Sequence, residues 1–191
     1  MVDLGIGKSI IAAEIFVRMK MLKYKVELCT EYAKDLVYEC RNQTIKDQIY
    51  IFGKMQHKLN ILSKTVDYAI VDSPLILSVV YKQRISELDN ISNETFKSLV
   101  LQVRQLYKNI DICLIREKNC EYFEQYGRIQ NLNESINIDK QIENCLSNSG
   151  INDYYSVINR NNQFNETVDT IMNDIILKNI NDKKKENNYV I

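Results

Sequence analysis

Apolar positions along the chain switch between two periods. Ala12, Ile15, Phe16, Met19 and Leu22 return at helical spacing and predict a helix over 8–23. "KVELCTE" (25–31) alternates Val26 and Leu28 with polar neighbours, a strand pattern. Ile45, Ile49, Phe52, Met55, Leu59 and Leu62 form one stripe, so a second helix is expected over 45–62. "DYAIVDS" (67–73) is a short apolar run ending in Asp72, which suits a buried parallel strand. Phe96, Leu99, Val100, Val103 and Leu106 predict a helix over 94–108, and "NIDICLIR" (109–116) a third strand. A polar stretch follows, then a helix near 136–147, a strand at "DYYSVI" (153–158) and a helix over about 166–179 carrying Val168, Ile171 and Ile175. Residues 181–191 are charged and are expected to form a disordered tail. Strands alternating with helices indicate one α/β domain over 1–180 with a mainly parallel sheet.

Composition changes this picture little. The 191 residues suit a single core, and 45% hydrophobic with 26% charged residues is ordinary globular composition. Lys+Arg and Asp+Glu number 25 each, so no global field pulls the chain towards nucleic acid or an anionic membrane. Five cysteines without a C-x-x-C pair read as reduced thiols of a cytoplasmic protein rather than a disulfide or zinc framework. No apolar run approaches the roughly 20 residues that cross a bilayer, and no signal peptide is expected.

The chemistry is concentrated at the ends of the predicted strands and in "MVDLGIGKSI". G-I-G-K-S is the second half of the phosphate-binding signature G-x-x-x-x-G-K-[ST]. Backbone amides of Gly5, Ile6, Gly7, Lys8, Ser9 and Ile10, at a tight turn leading into a helix, would favour an anion. Lys8 would reach the β/γ-phosphates and Ser9 would hold Mg²⁺. The plainer alternative is an N-terminal helix with a Gly-Lys-Ser start. Asp72, at a strand's carboxyl end, is a second metal donor or else the first residue of an Asp-Ser-Pro turn. Glu31 and Tyr32 follow the preceding strand on the same sheet edge. Glu31 is there a general base, a substrate contact or a surface helix cap. Arg116 and Arg128 would close over phosphates during transfer, or belong to a solvated loop. His57, the single histidine, falls on the polar side of its helix with no nucleophile motif near it.

The blocks "GIGKS", "ELCTEYAKDLVYE", "DQIYIFGKMQHKL", "VDYAIVDSPLILS" and "YFEQYGRIQ" together resemble phage-type P-loop proteins of the AAA-domain ATPase kind. These are related to ribosylnicotinamide kinases and to nucleoside and nucleotide kinases. The resemblance extends to about residue 178. It implies a three-layer αβα P-loop NTPase fold with strand order 2-3-1-4-5, ATP with Mg²⁺, and phosphate transfer to a small nucleoside- or nucleotide-like acceptor. It also implies a lid over about 117–134. By position it makes Lys8 and Ser9 the ATP loop, Asp72 the acid after the third strand and Glu31 an acceptor-site acid. Asp47 and Gln48 become a polar pair facing the acceptor, and Arg128 the lid arginine. The rivals are a nucleotide-binding or ATP-hydrolysing switch without an acceptor, and an inactive remnant. Val2 stands where the loop's first glycine belongs and Ile10 where Thr is usual. The family's first strand is absent, so a gap is expected between the strands ending near Asp72 and Arg116, with the natural start upstream or the gene in decay. Burying about five apolar side chains of such a strand is worth roughly 8–15 kcal/mol in all, as much as a domain's net stability.

Overall fold

The computed structural model describes residues 8–84, 91–107, 112–117, 132–151, 154–159 and 164–187. In chain order the elements are α1 (Lys8–Met21), β1 (Val26–Cys29), α2 (Tyr32–Tyr38), α3 (Asn42–Lys46), α4 (Gln48–Leu62) and β2 (Tyr68–Val71). They continue with α5 (Leu77–Arg84), α6 (Asn93–Arg104), β3 (Ile112–Glu117), α7 (Leu132–Ser147), β4 (Tyr154–Asn159) and α8 (Phe164–Asn187).

β1 and β2 pair in parallel, with Val26 opposite Tyr68 and Cys29 opposite Val71. β3 and β4 do the same, from Ile112 opposite Tyr154 to Glu117 opposite Asn159. Among the described residues these remain two separate two-stranded sheets. Parallel pairing requires a crossover, and α2, α3 and α4 supply it between β1 and β2, as α7 does between β3 and β4.

The β1–β2 pair is packed on both faces. Val26, Leu28, Tyr68 and Ile70 point to one side, where they meet Ile11, Ala12, Ile15 and Met19 of α1 and Val168 and Met172 of α8. Cys29 and Val71 point to the other, into a cluster with Phe52, Met55 and Leu59 of α4 and the apolar faces of α5, α6 and α7. Period-2 side chains divided between two helical layers explain why these short strands are apolar at successive positions. Within the second cluster Phe96 meets Phe52 edge to face, with ring centroids 5.5 Å apart. The buried Lys82 sets its ammonium 5.7 Å from the Phe96 ring centroid, which compensates part of its desolvation.

Several boundaries differ from the periodic pattern. The helix expected over 45–62 divides at Asp47, whose Oδ1 accepts the Tyr50 amide at 2.9 Å and caps α4. α2, α3 and α5 have 7, 5 and 8 residues, too few turns for a periodic stripe to declare itself. Leu22 lies beyond the end of α1 and is exposed rather than part of the core, as are Leu99 and Leu106. The tail expected from 181 is helical as far as Asn187. Its Lys and Glu residues are good helix formers, and neither Gly nor Pro interrupts the last turns of α8. Among the described residues no helix is long and apolar enough to cross a membrane.

Candidate functional site

Because β1 and β2 run in parallel, the residues that follow them emerge at one edge. The Asp72 amide donates to the Cys29 carbonyl at 3.0 Å, holding the two strand exits together. Asp72 is buried, 4% exposed, and its Oδ2 accepts a hydrogen bond from the Ser9 hydroxyl at 2.8 Å. That contact spans 63 residues and ties the first turn of α1 to the carboxyl end of β2. The Ser9 hydroxyl in turn accepts from the Lys34 ammonium at 3.4 Å. A lysine on α2, a hydroxyl on α1 and a buried carboxylate after β2 therefore form one hydrogen-bonded chain. It lies where the α1 amides expose their positive end.

The other residues singled out in the sequence fall into three groups. Gly5, Ile6, Gly7 and Arg128 lie outside the described residues. Lys8 begins α1 and Arg116 stands opposite Ile158 in the β3–β4 ladder, but their side chains too lie outside what is described. Ile10 exposes its side chain, so in the first turn of α1 its contribution to a ligand is its backbone. Glu31 stands at the N-cap position of α2 with extended backbone, φ −68° and ψ 118°, and its carboxylate does not cap the helix. Tyr32 opens α2, and its hydroxyl lies 3.0 Å from that of Tyr50, the two rings meeting edge to face. Asp47 and Gln48 are engaged locally. Asp47 caps α4, and the buried Gln48 donates from Nε2 to the Ile45 carbonyl at 2.9 Å.

The sequence reading missed three residues near this edge: Lys34, Tyr50 and Lys58. Lys58, on α4, donates to Thr30 Oγ1 at 3.4 Å, directly after β1. For two of them a signal existed. Lys34 follows Glu31 by three positions and Tyr50 follows Asp47 by three, the spacing that sets side chains on one face of a helix. Charge at the edge is felt by Cys29. Burial pushes its thiol up, Lys58 pulls it down, and Asp72 pushes it up further. At the Tyr32–Tyr50 pair the phenols split. Their mutual hydrogen bond is the main cause, raising Tyr32 and lowering Tyr50, and Lys54 and Arg41 lower Tyr50 further.

The donor set decides which metal could be held. Ser9 and Asp72 offer oxygen atoms alone, and no cluster of three His, Cys, Asp or Glu residues suited to a metal occurs among the described residues. A pair of hard oxygen donors, with the remaining positions left to phosphate and water, fits Mg²⁺ and does not fit a tetrahedral zinc site. No protein-family model matches this chain, and neither a curated protein nor a solved structure does.

Proposed function

We propose that the chain is a P-loop phosphotransferase of the cytoplasm that binds ATP with Mg²⁺ and passes the γ-phosphate to a small nucleoside- or nucleotide-like acceptor. The observation that carries this reading is the 2.8 Å contact between Ser9 and Asp72. A hydroxyl in the first turn of a helix and a buried acid at a strand's carboxyl end are the two protein donors that a Mg²⁺–triphosphate needs. The strand pairing lends further support. In the order 2-3-1-4-5 the second strand neighbours the third and the fourth neighbours the fifth, and β1–β2 and β3–β4 are pairs of those kinds.

In this reading the amides opening α1 and the Lys8 ammonium hold the β- and γ-phosphates. Ser9 and Asp72 orient the metal, which supplies charge neutralisation at the transferring group. Glu31, at the same edge, takes the proton of a hydroxyl acceptor or positions a phosphate acceptor. Arg116 and Arg128 take the part of cations that stabilise the charge developing at the transferring group. A second reading, an ATP-hydrolysing switch without an acceptor, draws on one observation: Asp47 and Gln48 are committed to the α3–α4 junction, which takes two polar groups from the expected acceptor pocket.

A single-turnover reaction with γ-labelled ATP and a panel of nucleosides, nucleoside monophosphates and nicotinamide riboside separates the two. Label on an acceptor is the expected result. Free phosphate released at the same rate with and without acceptors would leave the switch. Lys8→Ala should weaken ATP·Mg binding at least about tenfold, as loss of a charge-assisted contact does. Titration heats identical in Lys8→Ala and the parent would remove the phosphate loop from the reading.

A further inference from the structure

Lys34 belongs to none of the roles given so far, yet among the described residues its ammonium reaches the Ser9–Asp72 pair. It comes from the first turn of α2, three residues after Glu31, and it is half-buried rather than extended into solvent. Its Nζ lies 3.4 Å from the Ser9 oxygen, which is itself 2.8 Å from the Asp72 carboxylate. The ammonium is therefore joined to a buried carboxylate through one intervening hydroxyl. A lysine is suited to this. Its charge is compact, and its four-carbon stem turns the head several ångströms without moving the helix.

We infer that Lys34 is a second phosphate-binding cation of this site, supplied by α2 beside the first turn of α1; the inference rests on the reading under Proposed function. Two positive charges compete for the Ser9 oxygen when a divalent cation takes Ser9 and Asp72 as donors, and the lysine is the one free to turn away. The amides at the start of α1 draw the anion to the same spot, so the nearest negative charge for the released ammonium is a phosphate oxygen. Lys34 thus has two partners within reach, the Ser9 hydroxyl it meets beside Asp72 and a phosphate held at the α1 amides. The ligand class it selects is a polyphosphate rather than a nucleoside alone, and its contact is indifferent to the base.

Titration calorimetry with ATP·Mg, with metal-free inorganic tripolyphosphate and with adenosine tests this on the parent, Lys34→Gln, Lys34→Arg and Lys8→Ala. Glutamine keeps the length and a hydrogen-bond donor for Ser9 but lacks the charge. The expected result is about tenfold weaker binding of both phosphate ligands in Lys34→Gln. Lys34→Arg should recover most of that loss, adenosine titrations should not differ, and thermal melts should match the parent. A merely structural lysine would show the loss in the melt and would not distinguish tripolyphosphate from adenosine. Tripolyphosphate binding equal in Lys34→Gln and the parent, with Lys8→Ala impaired, overturns the inference and leaves the proposed function standing. A parent that takes up neither phosphate ligand ends both.

Discussion

Cys29 shows how one residue reports on the whole edge. It is fully buried at the end of β1, where its carbonyl receives the Asp72 amide and its thiol faces the α4 cluster. Burial is the first cause of its raised thiol pKa, with Asp72 adding to it and Lys58 opposing. The sign of the linkage follows. A thiol whose folded pKa exceeds its unfolded value of about 8.5 contributes stability that is fully present below that value and is lost as pH climbs through the folded one. The melting temperature should therefore fall as pH rises above about 8.5, the ordinary thiol value. The fall should be shallower in Cys29→Ala, although Cys145 and Tyr107, raised by burial in the same way, keep some slope in both. Identical slopes in the two proteins would show that the thiol does not couple to folding. From the sequence the cysteines are only reduced thiols. Their burial and their neighbours depend on contacts between elements far apart in the chain.

At the scale of elements, three helices end in the same way with different residues. After α1 the Tyr24 amide donates to the Met19 carbonyl and the Lys23 amide to that of Lys20. After α2 Arg41 donates to Leu36 and Cys40 to Val37, and after α7 Ile151 donates to Leu146 and Gly150 to Ser147. Each is a Schellman end, in which one residue must take the left-handed backbone. That residue is Lys23 at φ 66°, Cys40 at φ 57° and Gly150 at φ 65°. Only the third has the residue type that adopts this conformation without strain. Lys23→Gly and Cys40→Gly should each raise stability by about 0.5–1 kcal/mol, since relief of left-handed strain exceeds the entropy a glycine loses. Gly150→Ala should cost about 1 kcal/mol through its backbone alone, because an added Cβ there meets nothing within 4 Å. Urea unfolding of the three variants measures this, and a destabilised Lys23→Gly would refute the argument. The helix stop at Gly150 carried a sequence signal. The stops at Lys23 and Cys40 carried none, because the turn there is imposed by Met19–Tyr24 packing and by the return of the chain into β1 and α3.

Across the whole molecule the arrangement turns on β2. Its even-numbered amides face β1: those of Tyr68 and Asp72 donate to the carbonyls of Lys25 and Cys29. Alternation then directs the amides of Ala69 and Val71 to the opposite flank. Along β2 Ala69 is exposed and the other residues only half-buried, whereas β1 buries both of its ends. Among the described residues no strand pairs with that flank, and on this footing amide exchange should be fast at Ala69 and Val71 and slow at Tyr68 and Asp72. Equal protection at all four would show that a hydrogen-bonded partner covers that flank. The two clusters packed against the pair make the same point in energetic terms. α1 and α8 hold one face and α4 to α7 the other, so the strands keep their place through side-chain packing rather than through a long ladder.

The residues by themselves determined the long periodic elements, because an apolar stripe over three or more turns fits one backbone geometry. They also marked Ser9 and Asp72 as candidates, because Ser9 completes a Gly-Ile-Gly-Lys-Ser run at a helix start and Asp72 ends an apolar strand. The division at Asp47, the short helices α2, α3 and α5, and the exposure of Leu22 and Leu106 were decided by packing, which no local window contains. Tertiary structure alone brought Lys34 to Ser9 and Ser9 to Asp72. Parallel pairing of β1 with β2 carries the residues that follow both strands to one edge, and only there does a lysine on α2 meet a hydroxyl on α1.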